Sequence, residues 1–365
     1  MATVSLDARL TRQMSVGMKT YVRELVARLP RAAPDLTFVV VTNDDAVAAS
    51  AAGGCTVLRL GERAAANVSW GEQTRLPRLM RQADFAHYLS VYAPRWSPLP
   101  YAYTIHDLIH RRYPGYFSWK IPPYYALVAG PVARGARVVI TDARSTSDDL
   151  RSYLRVAADR VQVIPLGVSE AFALDDADRA SRAGAARAAF GIERPFILYA
   201  GNHRPHKNLE TLAAAWSALA EPCDLVVTED GPLSFALDRF VKSNGRIVLT
   251  GHIGVDQLVD LYAACAATAQ PSLYEGFGLS VLEAMSAGAP VVVAQTSALL
   301  EVADDAALSF PATDAGALRA CLTRMLGDTT LANDLRARGR ARAARYSWDR
   351  TAKLTAQVYR ACVGP

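Results

Sequence analysis

The apolar positions of this chain fall into short runs that recur along most of its length. Thr3 to Leu6, Thr37 to Thr42, Thr56 to Leu60, Phe85 to Leu89, Ala102 to Ile105 and Val138 to Thr141 are such runs, and Val161 to Val168 closes the series. Between the first two the spacing becomes helical. After a loop containing Gly17, residues Met18, Tyr21, Val22, Leu25, Val26 and Leu29 share one face. Short apolar strands separated by helices imply a parallel sheet covered on both faces. The second half repeats the pattern, with strands at Phe196 to Ala200, Leu225 to Thr228, Ile247 to Leu249, Ala266 to Ala269 and Val291 to Val293. A long helix is expected over Thr329 to Arg345 and a last amphipathic one over Trp348 to Cys362. The Asp/Ala/Arg-rich stretch Asp175 to Ala188 reads as a polar linker running into a short helix. The fold class is therefore α/β, with two doubly wound Rossmann-like domains, residues 1–170 and 171–346. In such sheets ligands bind at the carboxyl ends of the strands, and a cleft between two domains is the expected site.

Composition narrows the function. At 365 residues and 51% hydrophobic, the chain can bury two cores, and 21% charged residues argue against disorder. A net charge of +5 is mild and dispersed; it suits anionic small molecules or a membrane surface and does not support nucleic-acid binding. The five cysteines form no Cys-x-x-Cys pair, which fits reduced thiols and offers no metal or disulfide framework. The first strand follows the N-terminus without a basic-then-apolar leader, and no apolar run reaches bilayer length. A cytoplasmic protein, soluble or peripheral on the inner face of the plasma membrane, is the expectation.

Three stretches carry candidate chemistry. From Pro271 to Ala294 a loop leads into a helix that begins near Gly278, ends at Gly288 as a left-handed cap, and is followed by a strand after Pro290. A helix N-terminus offers unpaired N–H groups to an anion such as a diphosphate. Glu275 and Glu283, one on each side of that start, can accept hydrogen bonds from sugar or ribose hydroxyls. The two glutamates alone read more readily as an ordinary strand-loop-helix; the residues around them reverse that. In Tyr199-Ala-Gly-Asn-His-Arg-Pro-His-Lys-Asn-Leu, Arg204, His206 and Lys207 crowd donors beside a helix start and could neutralise a diphosphate leaving group. His106 and Asp107 follow a first-domain strand, with His110 one turn later as a competing candidate. No strand ends in Asp-x-Asp, so no divalent-metal pair is expected; Asp176-Ala-Asp178 lies in the polar linker.

The complete run Pro-Ser-Leu-Tyr-Glu-Gly-Phe-Gly-Leu with Glu275, seven residues and Glu283, followed by Gly288-Ala-Pro-Val, resembles the signature of the family 4 retaining glycosyltransferases. The resemblance runs over nearly the whole chain and is nearest in style to bacterial mannosyl- and rhamnosyltransferases of surface polysaccharides. It implies the GT-B architecture, two Rossmann-like domains facing across a cleft, with the helix at about 347–362 returning to the first. It implies transfer of a hexosyl unit from a nucleoside-diphosphate sugar, GDP-mannose as first guess, to a glycan expected to be lipid-linked. Neither metal nor cofactor is implied. Lys207 aligns with the family's phosphate-binding lysine; whether Arg204 or His206 is its partner stays open. Glu283 would hold the ribose and Glu275 the sugar hydroxyls, with Gly276, Phe277, Gly278 and Leu279 lining sugar and phosphate. His106 would contact the transferred sugar and Asp107 would orient it or touch the acceptor. Gly17 is what remains of the family's glycine loop, with Ser15 in place of the first glycine. Thr228-Glu-Asp-Gly-Pro and Gly251-His-Ile match two further loops by position only. Two rivals are a sugar-nucleotide 2-epimerase on the same architecture and a non-catalytic nucleotide-sugar binder. Aromatic and basic segments around Trp70 to Arg81 and His110 to Tyr125 suggest weak contact with a membrane surface.

Overall fold

The computed structural model describes residues 1–12, 14–51, 53–66, 69–228, 239–240 and 245–363. Contacts divide the chain into two compact units, residues 1–167 with 347–365, and residues 168–346.

In the first unit, strands β1 to β7 span Ala2–Asp7, Leu36–Thr42, Cys55–Arg59, Phe85–Tyr88, Tyr101–Thr104, Val138–Thr141 and Val161–Val163. They form one sheet in the order β3-β2-β1-β4-β5-β6-β7, with every neighbouring pair parallel. The second unit holds β8 to β13, at Phe196–Tyr199, Asp224–Val227, Ile247–Leu249, Ala267–Gln270, Val291–Ala294 and Leu308–Phe310. Their order is β10-β9-β8-β11-β12-β13, again parallel throughout. Each sheet reverses its winding once, between β1 and β4 and between β8 and β11. Doubly wound sheets take ligands beyond the carboxyl ends of the strands at that reversal.

The residue pattern explains both sheets. β8, β9, β11 and β12 are buried at every position, as strands covered on both faces must be, so their sequences are apolar or small apart from Asp224 at the start of β9 and Gln270 at the end of β11. The Val16–Ala32 helix buries Tyr21, Val22, Leu25, Val26 and Leu29, which is the face its spacing predicts. β13 escapes the apolar-run criterion because it has only three residues, one of them exposed. Asp175 to Ala188 is not a linker with a short helix. Residues Asp176–Phe190 form one helix, capped by the Asp175 carboxylate on the Asp178 N–H at 2.8 Å and ended by left-handed Gly191. Its alanines and arginines are strong helix formers. It hides from a periodicity search because Ala186 alone is buried.

The Trp348–Val363 helix belongs to the first unit. It buries Trp348, Thr351, Ala352, Thr355, Ala356 and Tyr359 along one stripe. Its anchor is polar. The Tyr359 hydroxyl lies 2.6 Å from Nδ1 of His87, whose Nε2 lies 2.8 Å from the Thr104 hydroxyl, which in turn meets the Tyr21 hydroxyl at 3.1 Å. Burial, with His106 nearby, pushes His87 down to about 3, so the ring stays neutral and relays the chain of hydrogen bonds.

Tyr359→Phe keeps the ring against Phe38 and Phe85 but removes the partner of His87. The expected loss is about 1–3 kcal/mol, the cost of a buried polar atom left unpaired. The urea midpoint of the full chain reads it, and an unchanged midpoint would show that packing alone seats this helix.

Candidate active site

The loops after β8 and β11 meet where the second sheet reverses. Between them they hold most of the residues singled out in the sequence. After β8, Gly201 has a positive φ of 150° and its N–H donates to the Thr228 hydroxyl at 3.2 Å. The chain then makes a single turn at Pro205–Lys207 and enters the Leu209–Ser217 helix through left-handed Asn208. After β11, residues 271–278 lead into the Leu279–Ser286 helix. Gly278 starts that helix at φ 105°, and a Cβ there would sit 2.9 Å from Leu299. Glycine is therefore required twice over, by backbone conformation and by space.

Three bonds fasten the two loops side by side, and a fourth ties Asn208 to the stretch after β13. The Leu273 N–H donates to the His206 carbonyl at 2.8 Å. The Asn208 side-chain amide donates to the carbonyls of Pro271 and Ala312 at 3.0 and 2.7 Å. The Lys207 ammonium donates to Oε1 of Glu275 at 2.6 Å, with both side chains about 15% exposed. The same oxygen accepts from the Ser272 hydroxyl at 2.7 Å and the Gln270 amide at 2.9 Å. Burial alone would raise the carboxyl's pKa, but Lys207, Ser272 and the nearby His206 hold it below the ordinary range. Glu275 is a carboxylate kept charged inside the unit.

Glu283 is the opposite case. It lies in the second turn of the same helix, half-buried, and no donor among the described residues reaches its carboxyl. Burial without compensation raises it to about 8. A carboxyl in this condition is a ready acceptor for hydroxyls brought by a ligand. The other motif residues distribute around it: Phe277 is buried edge-on to Tyr346 at 5.9 Å, while Gly276 and Leu279 are half-exposed at the helix entry. His206 is buried beside Glu275, and Arg204 is exposed with no ion pair among the described residues. Of the position-based loops, residues 229–232 lie outside the described residues; Gly251 follows β10 with a φ of 68°.

In the first unit, His106 follows β5 and is buried. Its Nδ1 lies 2.7 Å from the Asp142 carboxylate, its ring stands edge-on to Tyr21 at 4.6 Å, and Nε2 is buried with the Leu89 backbone nearby and no close hydrogen bond among the described residues. Burial disfavours the charged ring, but Asp142 and Asp107 outweigh it and raise its pKa. The carboxylate that orients His106 is thus Asp142, not Asp107. Asp107 caps the following turn, accepting from the Ile109 N–H at 3.0 Å. His110 packs on Phe117 at 4.2 Å and lies against the Tyr125 hydroxyl. Gly17 is not in a loop. It is the second residue of the Val16–Ala32 helix, whose Ser15 cap accepts from the Met18 N–H at 3.3 Å, so helical backbone replaces the expected glycine turn.

Sequence reasoning passed over Asp142 and Gln270. Each is a polar residue that ends or follows an apolar strand, β6 and β11, and lies almost fully buried. That is a usable signal, because a buried polar side chain at a strand's carboxyl end needs a partner there.

The raised Glu283 gives a pH test. The folded protein holds a proton there up to about 8, whereas an unfolded chain releases it near 4.5. Stability contributed at this site is therefore lost as pH rises between those values. Glu283→Gln should remove that loss and stabilise the ligand-free protein above pH 8, by on the order of 1–3 kcal/mol for a half-buried group. Melting curves of both proteins at pH 5 and pH 8.5 decide it. Equal gaps at the two pH values would refute the raised value.

Comparison with known proteins agrees with this layout. Residues 16–172 match the family described as Glycosyltransferase Family 4, and residues 185–342 match Glycosyl transferases group 1. The serotype-specific mannosyltransferase WbdA of Escherichia coli is 30% identical over 61% of this chain and 29% of its own length. O-antigen chain mannosyltransferase B of the same organism is 34% identical over 45% of each. D-inositol 3-phosphate glycosyltransferase of Salinispora arenicola is 30% identical over 73% of this chain and 64% of its length. The chain thus spans less than half of the two mannosyltransferases it matches. Among solved structures, HepE of Anabaena, determined with UDP and glucose, superposes with a TM-score of 0.78 at 16% identity, over 99% of this chain and all of that one. Sucrose-phosphate synthase of Thermosynechococcus elongatus gives 0.77 at 20% identity, over 99% of each. Two parallel doubly wound sheets, the fastened loops at the reversal of the second, and family matches covering both units lead to one assignment: the chain belongs to the glycosyltransferases of group 1 and family 4, on the GT-B fold.

Proposed function

We propose that this glycosyltransferase moves a hexosyl unit from a nucleoside-diphosphate sugar, GDP-mannose first among candidates, to a lipid-linked glycan, with retention of configuration and without a metal ion. The observation that carries the reading is the contrast between two carboxyls eight residues apart in sequence. Glu275 is charged and engaged by three donors, and Glu283 is half-buried with no donor on its carboxyl among the described residues. Ribose hydroxyls suit Glu283, because donors supplied by a ligand favour its charged form. Sugar hydroxyls suit Glu275. The diphosphate suits the start of the Leu279–Ser286 helix and the backbone at Gly276, Phe277, Gly278 and Leu279, with the Lys207 ammonium as counter-charge. His206, buried beside Glu275, is the better partner for Lys207 than exposed Arg204, which would serve only after its side chain moves inward.

Retention by a front-face reaction asks for no protein nucleophile: the departing phosphate accepts the acceptor's proton as the new glycosidic bond forms on the same face. The chain's task is then to stabilise charge on the leaving group, and the Lys207 ammonium would supply the counter-charge. His106, fixed by Asp142, would act from the first unit, with Asp107 and the Gly17 helix start on the acceptor side. The mannosyltransferase relatives favour a mannosyl donor and a surface polysaccharide as acceptor.

A donor panel scored by nucleoside diphosphate release, run in excess chelator, tests the activity. Release from one nucleotide sugar, undiminished by chelator, is expected; loss restored by Mg²⁺ would overturn the metal-free account. Lys207→Ala should lower kcat by roughly 10²–10³-fold, the scale of losing one preorganised charge stabiliser, with a smaller change in donor affinity. Wild-type turnover in that variant would remove Lys207 from the mechanism.

The first unit supplies a reason to expect a membrane surface. On the Trp70–Met80 helix, Leu76 and Met80 are buried while Trp70 is 86% exposed, and Arg75, Arg78 and the capping Arg81 face solvent. Trp119 is 78% exposed, with Lys120 beside its ring. Exposed tryptophans among cations suit anionic headgroups. The full chain should sediment with phosphatidylglycerol vesicles at low salt and leave them at high salt. Protein remaining in the supernatant at low salt would point to a soluble acceptor.

A further inference from the structure

Gln270 occupies an unusual place for an amide. It is the last residue of β11, 1% exposed, and stands at the reversal of the second sheet. Both ends of its side chain are used. Nε2 donates at 2.9 Å to Oε1 of Glu275 and at 2.9 Å to the Ser272 hydroxyl, while Oε1 accepts from the Ser280 hydroxyl at 3.4 Å. Ser280 lies in the first turn of the Leu279–Ser286 helix, so the amide spans the loop from strand end to helix start. No apolar residue could do this, and a carboxylate would face Glu275 with like charge.

The need for such a residue follows from Lys207. The ammonium sits 2.6 Å from Glu275. The proposed function gives the same ammonium a second duty toward a diphosphate, and a dianionic or trianionic ligand competes strongly for it. When it turns, a buried carboxylate loses its cation, and a buried carboxylate without donors takes up a proton or shifts position. We infer that Gln270 is a positioning residue: with Ser272 it keeps Glu275 charged and aimed while Lys207 is engaged by the donor's diphosphate. Nothing about Gln270 requires it to touch the substrate. The inference rests on the reading of Lys207 as the phosphate counter-charge, and its test separates the two.

Among the described residues, the groups facing Glu275 include Lys207 and His206 from the turn after β8, and Ser272 and Gln270 from its own loop and strand. Carbon-13 NMR of the glutamate carboxyls in the full chain follows Glu275, assigned by its loss in Glu275→Gln. Gln270→Met keeps the volume and removes the amide. Without ligand, Lys207 should hold Glu275 below the ordinary range in both proteins. With saturating GDP or UDP, Glu275 should stay low in the wild type and move upward in Gln270→Met. In the variant kcat should fall roughly tenfold to a hundredfold, the worth of a hydrogen bond to a charged group, and the acid limb of its pH profile should shift upward. An upward move equally large without nucleotide would make Gln270 a merely structural residue, and no move in either state would also overturn the inference. If neither nucleotide binds, the phosphate role of Lys207 fails, and Lys207→Ala then withdraws the cation instead. Adding Gln270→Met on that background must raise Glu275 further, and an unchanged titration there would sink the proposal by itself.

Discussion

A charged carboxylate inside a protein must be surrounded by donors, and the second unit is arranged around meeting that condition at Glu275. Three donors converge on one oxygen, from a strand end, a loop and the turn after a neighbouring strand. Such convergence is possible only if two loops lie in fixed register. The Asn208 amide and the Leu273-to-His206 backbone bond supply that register. The reversal of the sheet between β8 and β11 is what places those loops side by side at all. Topology brings the loops together, and the buried charge with its donors fixes how they sit.

The two sheets wind alike yet finish their strands differently. In the first unit two buried histidines are held by the unit's own groups: His87, inside β4, between two hydroxyls, and His106, after β5, against Asp142. In the second, Glu283 is left uncompensated and Glu275 borrows a cation that a phosphate would also attract. The second unit's carboxyls are polar in a way that a ligand would complete. Fold alone does not make this distinction, which is why the site has to be argued residue by residue.

Much of this was legible in the sequence because fully buried parallel strands must be written as apolar runs. The eighteen residues from Pro271 to Gly288 also named the loop, the helix start near Gly278, the left-handed cap at Gly288 and both glutamates. What stayed hidden has physical causes. The Asp176–Phe190 helix buries almost nothing along its length, so it leaves no stripe, and only its caps give it away. β13 is too short to stand out. Gly17 was read for its freedom, yet Ser15 caps a helix there and the freedom is unused. Partners such as Asp142 for His106, 36 residues apart, are set by the pairing of β5 with β6, which local patterns do not contain.

The return of the last helix to the first unit has a consequence for how the chain is made. Gly167, where the chain leaves that unit, passes so close to the backbone of Trp348 that a Cβ would lie 2.1 Å from its nitrogen. The unit's own residues are thus interrupted by a contiguous 168–346 segment. A ribosome delivers that segment whole before Tyr359 exists to meet His87, 272 residues upstream. The unit begun first is completed last. During synthesis its β1 to β7 sheet waits with the stripe meant for the final helix uncovered, while the later unit already has everything it needs to fold.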